Sequence, residues 1–291
     1  MIRIVSFFIL LSIYSYAIGP IVKLATYSIK NGTVGLALLD NTNIKNAKLS
    51  YGKIKVDFHQ HPNNNKLLYA LIPVDFHAKK KRQRVNVSYN YKNQHMNTGF
   101  YFNIIEGNYP KEYLKVKKSK VKLSLKSQQR ASKEYTKAIR LYKSYDPKKY
   151  WEDRFILPIN SKITSKFGTK RMFNGKLKSY HGGTDFRAKI GTPVKASNSG
   201  IVKLVKKRFY AGNSIIIDHG KGIFSSYYHL SKFKVKVGDK VKRGQIIALS
   251  GATGRITGPH LHFGIRVYGV NVDPIQFIKT INSLDNLPIG V

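Results

Sequence analysis

Short apolar runs, alternating with polar residues and broken every few positions by Gly, Asn or Pro, most constrain what this chain can fold into. A strand turns successive side chains to opposite faces, whereas a helix repeats every 3.6 residues. Residues 20–106 follow the first rule. Their runs include Ile21–Ala25, Gly35–Leu39, Lys53–Phe58, Leu67–Ile72 and Arg84–Tyr89, with turns at Asn31-Gly32 and Pro62–Asn65. Six or seven such strands predict a β-sandwich-like accessory domain over 18–106. The aromatics Tyr89, Tyr91, Phe100, Tyr101 and Phe102 read as its core. Residues 151–280 show the same habit, with strands at Gly200–Val205, Ser214–Asp218 and Gln245–Leu249 and glycine-bearing turns between them. No long helical pattern is visible there, so a compact antiparallel β domain is predicted, followed by a tail over 281–291.

Residues 107–150 break the pattern. They hold twelve Lys and two Arg against Glu112, Glu134 and Asp146. Ala131, Tyr135, Ala138, Ile139 and Tyr142 recur at three- and four-residue steps. That spacing predicts one amphipathic helix from an N-cap at Ser127 to about Tyr145, ahead of Pro147. The segment reads as a basic, partly helical linker that would let the domains move. A solvated spacer and a binding segment are both open readings. The fold class predicted is therefore mainly β: a β-sandwich-like domain, a basic linker, and an antiparallel β domain.

The first residues bear on the compartment. Arg3 precedes an apolar run, and small residues follow at Ser15 and Ala17. This is the form of a signal peptide over 1–17, since a membrane span needs ~20 apolar residues. It predicts export across an inner membrane to the periplasm or cell envelope, with no transmembrane domain after cleavage. The formal charge of +38 implies a polyanionic partner. In the envelope that partner is peptidoglycan carboxylate or lipid phosphate. No zinc-finger, helix-turn-helix or RNA-recognition signature points to specific nucleic-acid binding. The chain has no cysteine, which removes disulfides, thiolate metal sites and cysteine nucleophiles together.

Any metal must then be held by His and carboxylates. Five of the nine histidines fall in the last domain: His181, His219, His229, His260 and His262. His181 and Asp185 lie four apart in a glycine-softened segment. His260 and His262 lie two apart, so on a strand they share a face. A catalytic zinc takes three protein ligands and leaves one position open. His181, Asp185 and one of His260 and His262 would supply the three. The remaining imidazole of that pair and His229 would stand beside the metal as base or orienter. His59-Gln60-His61 has the same spacing but no third ligand, and it reads as a pair of surface histidines, as do His77 and His95. His219, at the end of a strand, reads as structural.

At these residues the chain resembles the LytM/lysostaphin-type zinc metallopeptidases, which cut peptide cross-links of peptidoglycan. The matching runs are Ile163–Gly168, His181–Phe186, Gly191–Val194, Ile217–Gly220, Tyr228–Ser231, Val237–Val241, Gly244-Gln245 and Gly251–Gly254 through Gly258–Phe263. The resemblance covers 155–276. It implies one Zn²⁺ held by His181, Asp185 and His262, with His229 and His260 as the non-ligand catalytic pair. It also implies a peptidoglycan hydrolase rather than the alternative, a non-catalytic zinc-binding adaptor that regulates another wall hydrolase. Secreted Gram-negative relatives of similar plan place a β-rich domain ahead of the peptidase. Here that domain would serve as an inhibitory cap, a wall-binding module or a docking site for an envelope protein.

Overall fold

The computed structural model describes residues 22–114, 124–173 and 176–286. The signal peptide expected over 1–17, most of the lysine-rich run before the helix and the end of the tail lie outside the described residues. The chain is mainly β, as its periodicity predicts.

The N-terminal part is two packed sheets. One runs, in spatial order, Val22–Leu24, Val34–Asp40, Asn64–Pro73 and His59–His61. The other runs Ser28–Lys30, Gln94–Ile105, Lys81–Tyr91, Ile44–Tyr51 and Ile54–Asp57. The second sheet alternates cleanly: Val85, Val87 and Tyr89 are buried while Arg84 and Asn86 face solvent. Such alternation marks a sheet wet on one side. The first sheet does not alternate. Leu36, Ala37, Leu38 and Leu39 are all buried in succession. Ala37 and Leu39 pack against the partner sheet, while Leu36 and Leu38 enter the core of the C-terminal domain. Of the five aromatics, Tyr89 and Phe102 are fully buried, and Tyr101 stands 44% exposed on the outer face.

The C-terminal domain is built mainly on one large antiparallel sheet, while Lys170–Phe173 and Lys176–Tyr180 form a separate small sheet with Lys111–Leu114 of the basic segment. The main path of the large sheet runs Ile163–Ser165, Thr184–Arg187, His260–Val267, Ile223–Phe233, Gly212–Gly220, Gly200–Arg208 and Lys240–Val241. Ile215, Ile217, Tyr227, Leu261, Phe263 and Ile265 fill its core.

Three features depart from the sequence reading. Helix α1 spans Leu125–Tyr142 with Ser124 as its N-cap, accepting from the Ser127 amide, so the helix begins before the predicted cap. Ser124 and Ser127 both suit a cap, and the earlier one is taken because helical backbone already includes Leu125. Helix α2, Pro274–Asn282, was not foreseen. Asp273 caps it and Pro274 occupies its first turn. It buries Phe277 and Ile281, and a following 3₁₀ turn buries Leu284, so the start of the expected tail is packed.

The third departure concerns mobility. Val34, Leu36, Leu38, Tyr69 and Leu71 share one hydrophobic cluster with Phe277, Ile281 and Leu284. Gln276 of α2 accepts from the Val34 amide at 2.9 Å and donates to the Val34 carbonyl at 2.8 Å, and the Asp273 amide donates to Gly32. Each large side chain buried in such a contact contributes about 1.5–3 kcal/mol. The two parts are therefore docked, not strung on a free linker. His59 and His61 belong to this contact and are not surface histidines. His61 is 5% exposed, and His59 Nε2 lies 3.0 Å from the Tyr268 hydroxyl. The apolar surroundings that bury them hold the His59 imidazole down to about 4.

Candidate metal centre

The site is laid out by strand register. Asp185 on Thr184–Arg187 sits directly opposite His262 on His260–Val267, and His262 sits opposite Tyr228 on the next strand. The period of two then puts His260 on the same face as His262. His181 arrives from the loop before Thr184, pinned by backbone bonds from its amide to Thr169 and from the Gly168 amide to its carbonyl. Gly183 has a steric reason to be glycine. A Cβ there would meet the Phe263 carbonyl oxygen at 2.5 Å and His262 Nε2 at 2.6 Å.

Three donor atoms converge. His181 Nε2 lies 3.0 Å from Asp185 Oδ1 and 3.0 Å from His262 Nδ1, and His262 Nδ1 lies 2.9 Å from Asp185 Oδ1. Among the described residues this is the one His/Asp/Glu group so arranged. His181 Nδ1 donates to the Lys166 carbonyl at 2.9 Å, which leaves Nε2 of the neutral ring without a hydrogen. Its contact with Asp185 Oδ1 is then lone pair against lone pair. A divalent cation among the three relieves that repulsion, and two imidazoles with one carboxylate suit zinc. The residues present therefore fit the ion.

His229 and His260 stand beside this group. Their rings are 4.8 Å apart, and His260 Nε2 is 3.7 Å from Asp185 Oδ2. His229 has φ +64°, uncommon for a non-glycine residue. Tyr227 faces the core and Tyr228 the site, so a regular strand would turn His229 back into the core. The left-handed backbone turns it to the site instead, a kind of strain that gathers at functional positions. His229 Nδ1 donates to Thr253 and His260 Nδ1 to Gly258, both at 2.9 Å to carbonyl oxygens. Each ring thus has its Nε2 free to accept a proton.

Burial would raise the Asp185 carboxyl, but the adjoining imidazoles of His181 and His262 outweigh it and hold the group well below the usual carboxylate range. Burial brings His229 down to about 3 and also lowers His262. Burial would likewise raise the Tyr228 phenol, yet the Arg208 guanidinium beside it brings it down to about 8.

The structure thus brings His181, Asp185, His229, His260 and His262 together. His219 stays apart and is fully buried, donating from Nδ1 to Ser199 and meeting Ser225 Oγ at 2.7 Å. His77 and His95 are exposed and do not join the group, although His77 stands edge-on to Tyr180, the residue before His181, at 5.0 Å. Sequence reasoning missed Tyr228, Arg208 and Tyr142. Tyr228 had one signal, its place directly before His229.

A β domain with an open His-Asp-His group and two further imidazoles is the architecture of a metal hydrolase. Residues 179–274 match the model of peptidase family M23, and this part of the chain is a LytM/lysostaphin-type domain of that family. The peptidoglycan DD-endopeptidase ShyA of Vibrio cholerae is 47% identical over 122 residues, 41% of this chain and 28% of that protein. Lysostaphin of Staphylococcus staphylolyticus is 47% identical over 106 residues, 34% of this chain and 22% of its own. The chain spans only about a quarter of the length of the curated relatives it matches. A solved structure from Pseudomonas aeruginosa, provisionally assigned as an M23 peptidase, aligns over 84% of this chain and 94% of its own at TM-score 0.66 and 25% identity. That match takes in the N-terminal sheets as well. No helix among the described residues is long and apolar enough to cross a membrane.

Proposed function

We propose that this chain is an exported zinc metalloendopeptidase that hydrolyses peptide cross-links of peptidoglycan, of the D-alanyl–diaminopimelate type, in wall remodelling. One observation carries the reading: three donor atoms meet within 3.0 Å of one another, with two further imidazoles beside them. His181, Asp185 and His262 would hold one zinc ion. Zinc bound there supplies Lewis acidity toward a carbonyl and brings a water's pKa to about 7.

The chain's own residues do the rest. His260 Nε2 accepts the proton of the attacking water, because Nδ1 is committed to the Gly258 carbonyl and Nε2 is left as the acceptor. The same nitrogen then returns the proton to the departing amine. His229, which burial keeps neutral, orients the water through its bare Nε2. Once protonated, His260 also offers an N–H to the developing oxyanion. The net positive charge steers substrate carboxylates toward the cleft over long range. The apolar leader would take the chain to the envelope, and the docked N-terminal sheets would position the peptidase on the wall or an envelope partner.

Mass spectrometry of muropeptides after digestion of purified sacculi tests this. Cross-linked dimers should fall to monomers with wild type, and stay intact with His262→Ala or excess chelator. Equal cutting by His262→Ala would sink the assignment. Zinc binding without turnover would favour the regulatory adaptor.

A further inference from the structure

A histidine that holds a metal ordinarily has its second nitrogen fixed by a hydrogen bond, which sets the orientation of the ring. His181 obeys this through Lys166. His262 does not: its hydrogen bonds, among the described residues, run only from Nδ1 into the cluster. Its ring is held by faces instead. One side is closed by Gly183, where even a methyl group would collide. On the other, Tyr228 stacks parallel, with centroids 4.9 Å apart and planes 6° apart.

What holds Tyr228 comes from the supposed linker. Tyr142 near the end of α1 is buried, and its hydroxyl is 2.9 Å from the Tyr228 hydroxyl. Arg208 lies over the Tyr228 ring at 4.5 Å, and Arg266 lies over the Tyr142 ring at 4.7 Å. Tyr142 also stands edge-on to Phe224 within the small cluster of Ala138, Leu204 and Ile216. Farther up the helix, Glu134 accepts from the Phe209 amide at 2.6 Å and from Arg130 Nε at 2.9 Å. The helix is thus anchored both beside Arg208 and on Tyr228 itself.

We propose that α1 belongs to the catalytic unit and that Tyr142 and Tyr228 are positioning residues. The helix, through the Tyr142 hydroxyl, keeps the Tyr228 ring flat on His262, so that Nδ1 stays aimed at His181 Nε2 and Asp185 Oδ1. This rests on the reading of those three residues as metal ligands.

The test uses the purified full chain, with zinc affinity measured by chelator competition and the visible spectrum of the cobalt-loaded protein. Tyr228→Leu, which removes the stack, should lose zinc affinity about 10–100-fold and shift the cobalt bands. Tyr228→Phe keeps the ring and should restore most of that loss. Tyr142→Phe, which breaks the hydroxyl contact, should lose about 5-fold. Val87→Ala, in the separate core between the two N-terminal sheets, touches neither tyrosine nor the helix contact, and should lower the melting temperature while leaving affinity and spectrum unchanged. Tyr228→Leu with wild-type affinity and spectrum would overturn the proposal, as would an equal loss in Val87→Ala. A wild-type chain that takes up no metal would instead overturn the reading of the site itself.

Discussion

Gly183→Ala isolates the geometry of the cluster, because the added atom has one place to go. Its methyl would sit 2.5 Å from the Phe263 carbonyl oxygen and 2.6 Å from His262 Nε2. Ordinary contact begins near 3.4 Å, so something must yield by roughly 0.9 Å, a degree of overpacking that costs about 1–3 kcal/mol. The Phe263 carbonyl is fixed in a strand paired on both sides, so the imidazole yields. A displacement of about 1 Å at a reacting centre costs on the order of 10²-fold in rate. The expected outcome is a drop of this size in muropeptide release, with weaker zinc binding by chelator competition and a modestly lower melting temperature. Gly258→Ala is the matched control, since nothing lies within 4 Å of a Cβ there. It should stay within about 0.5 kcal/mol of wild type. Wild-type zinc affinity and turnover in Gly183→Ala would refute the claim that His262 is sterically fixed.

Acid should weaken the fold through His219. Burial holds this histidine down to about 4, so between about pH 6.5 and 4 the unfolded chain binds a proton that the folded chain does not. Stability is therefore full above pH 6.5 and falls by about 3 kcal/mol toward pH 4. Urea unfolding across that range should show the slope, to which the buried His59 and His229 add, and His219→Gln should reduce the fall by about 3 kcal/mol between pH 6.5 and 4; an unchanged slope would contradict the assignment. Leu36→Ala should cost about 2–5 kcal/mol, because the side chain fills the core shared by the two parts. A loss under 0.5 kcal/mol in calorimetry would mean that the interface contributes little.

Local pattern made much of this legible. Strand periodicity gave the mainly β class, and the unbroken apolar runs Gly35–Leu39 and Leu67–Ile72 already carried the mark of a sheet covered on both faces. The two-residue spacing of His260 and His262 put both on one face because a strand enforces it. Helix α2 was also within reach, since Asp273-Pro274 is a cap followed by a first-turn proline, but nine residues give too short a period to stand out among strands. Contacts between distant segments were not legible. Nothing near His59 or His61 announces that Tyr268 meets the first and that the 3₁₀ turn at Leu284 meets the second. Nothing in the basic segment says that Tyr142 meets Tyr228, 86 positions away. The charge of that segment drew attention to its wet face, while its few apolar residues carry its place in the site.

The most direct test is anomalous diffraction at the zinc edge from crystals of the full chain grown with equimolar zinc. The account predicts one strong peak per chain, lying between His181 Nε2, Asp185 Oδ1 and His262 Nδ1, and its disappearance in Asp185→Ala. A peak elsewhere, or none in that cluster, would contradict it.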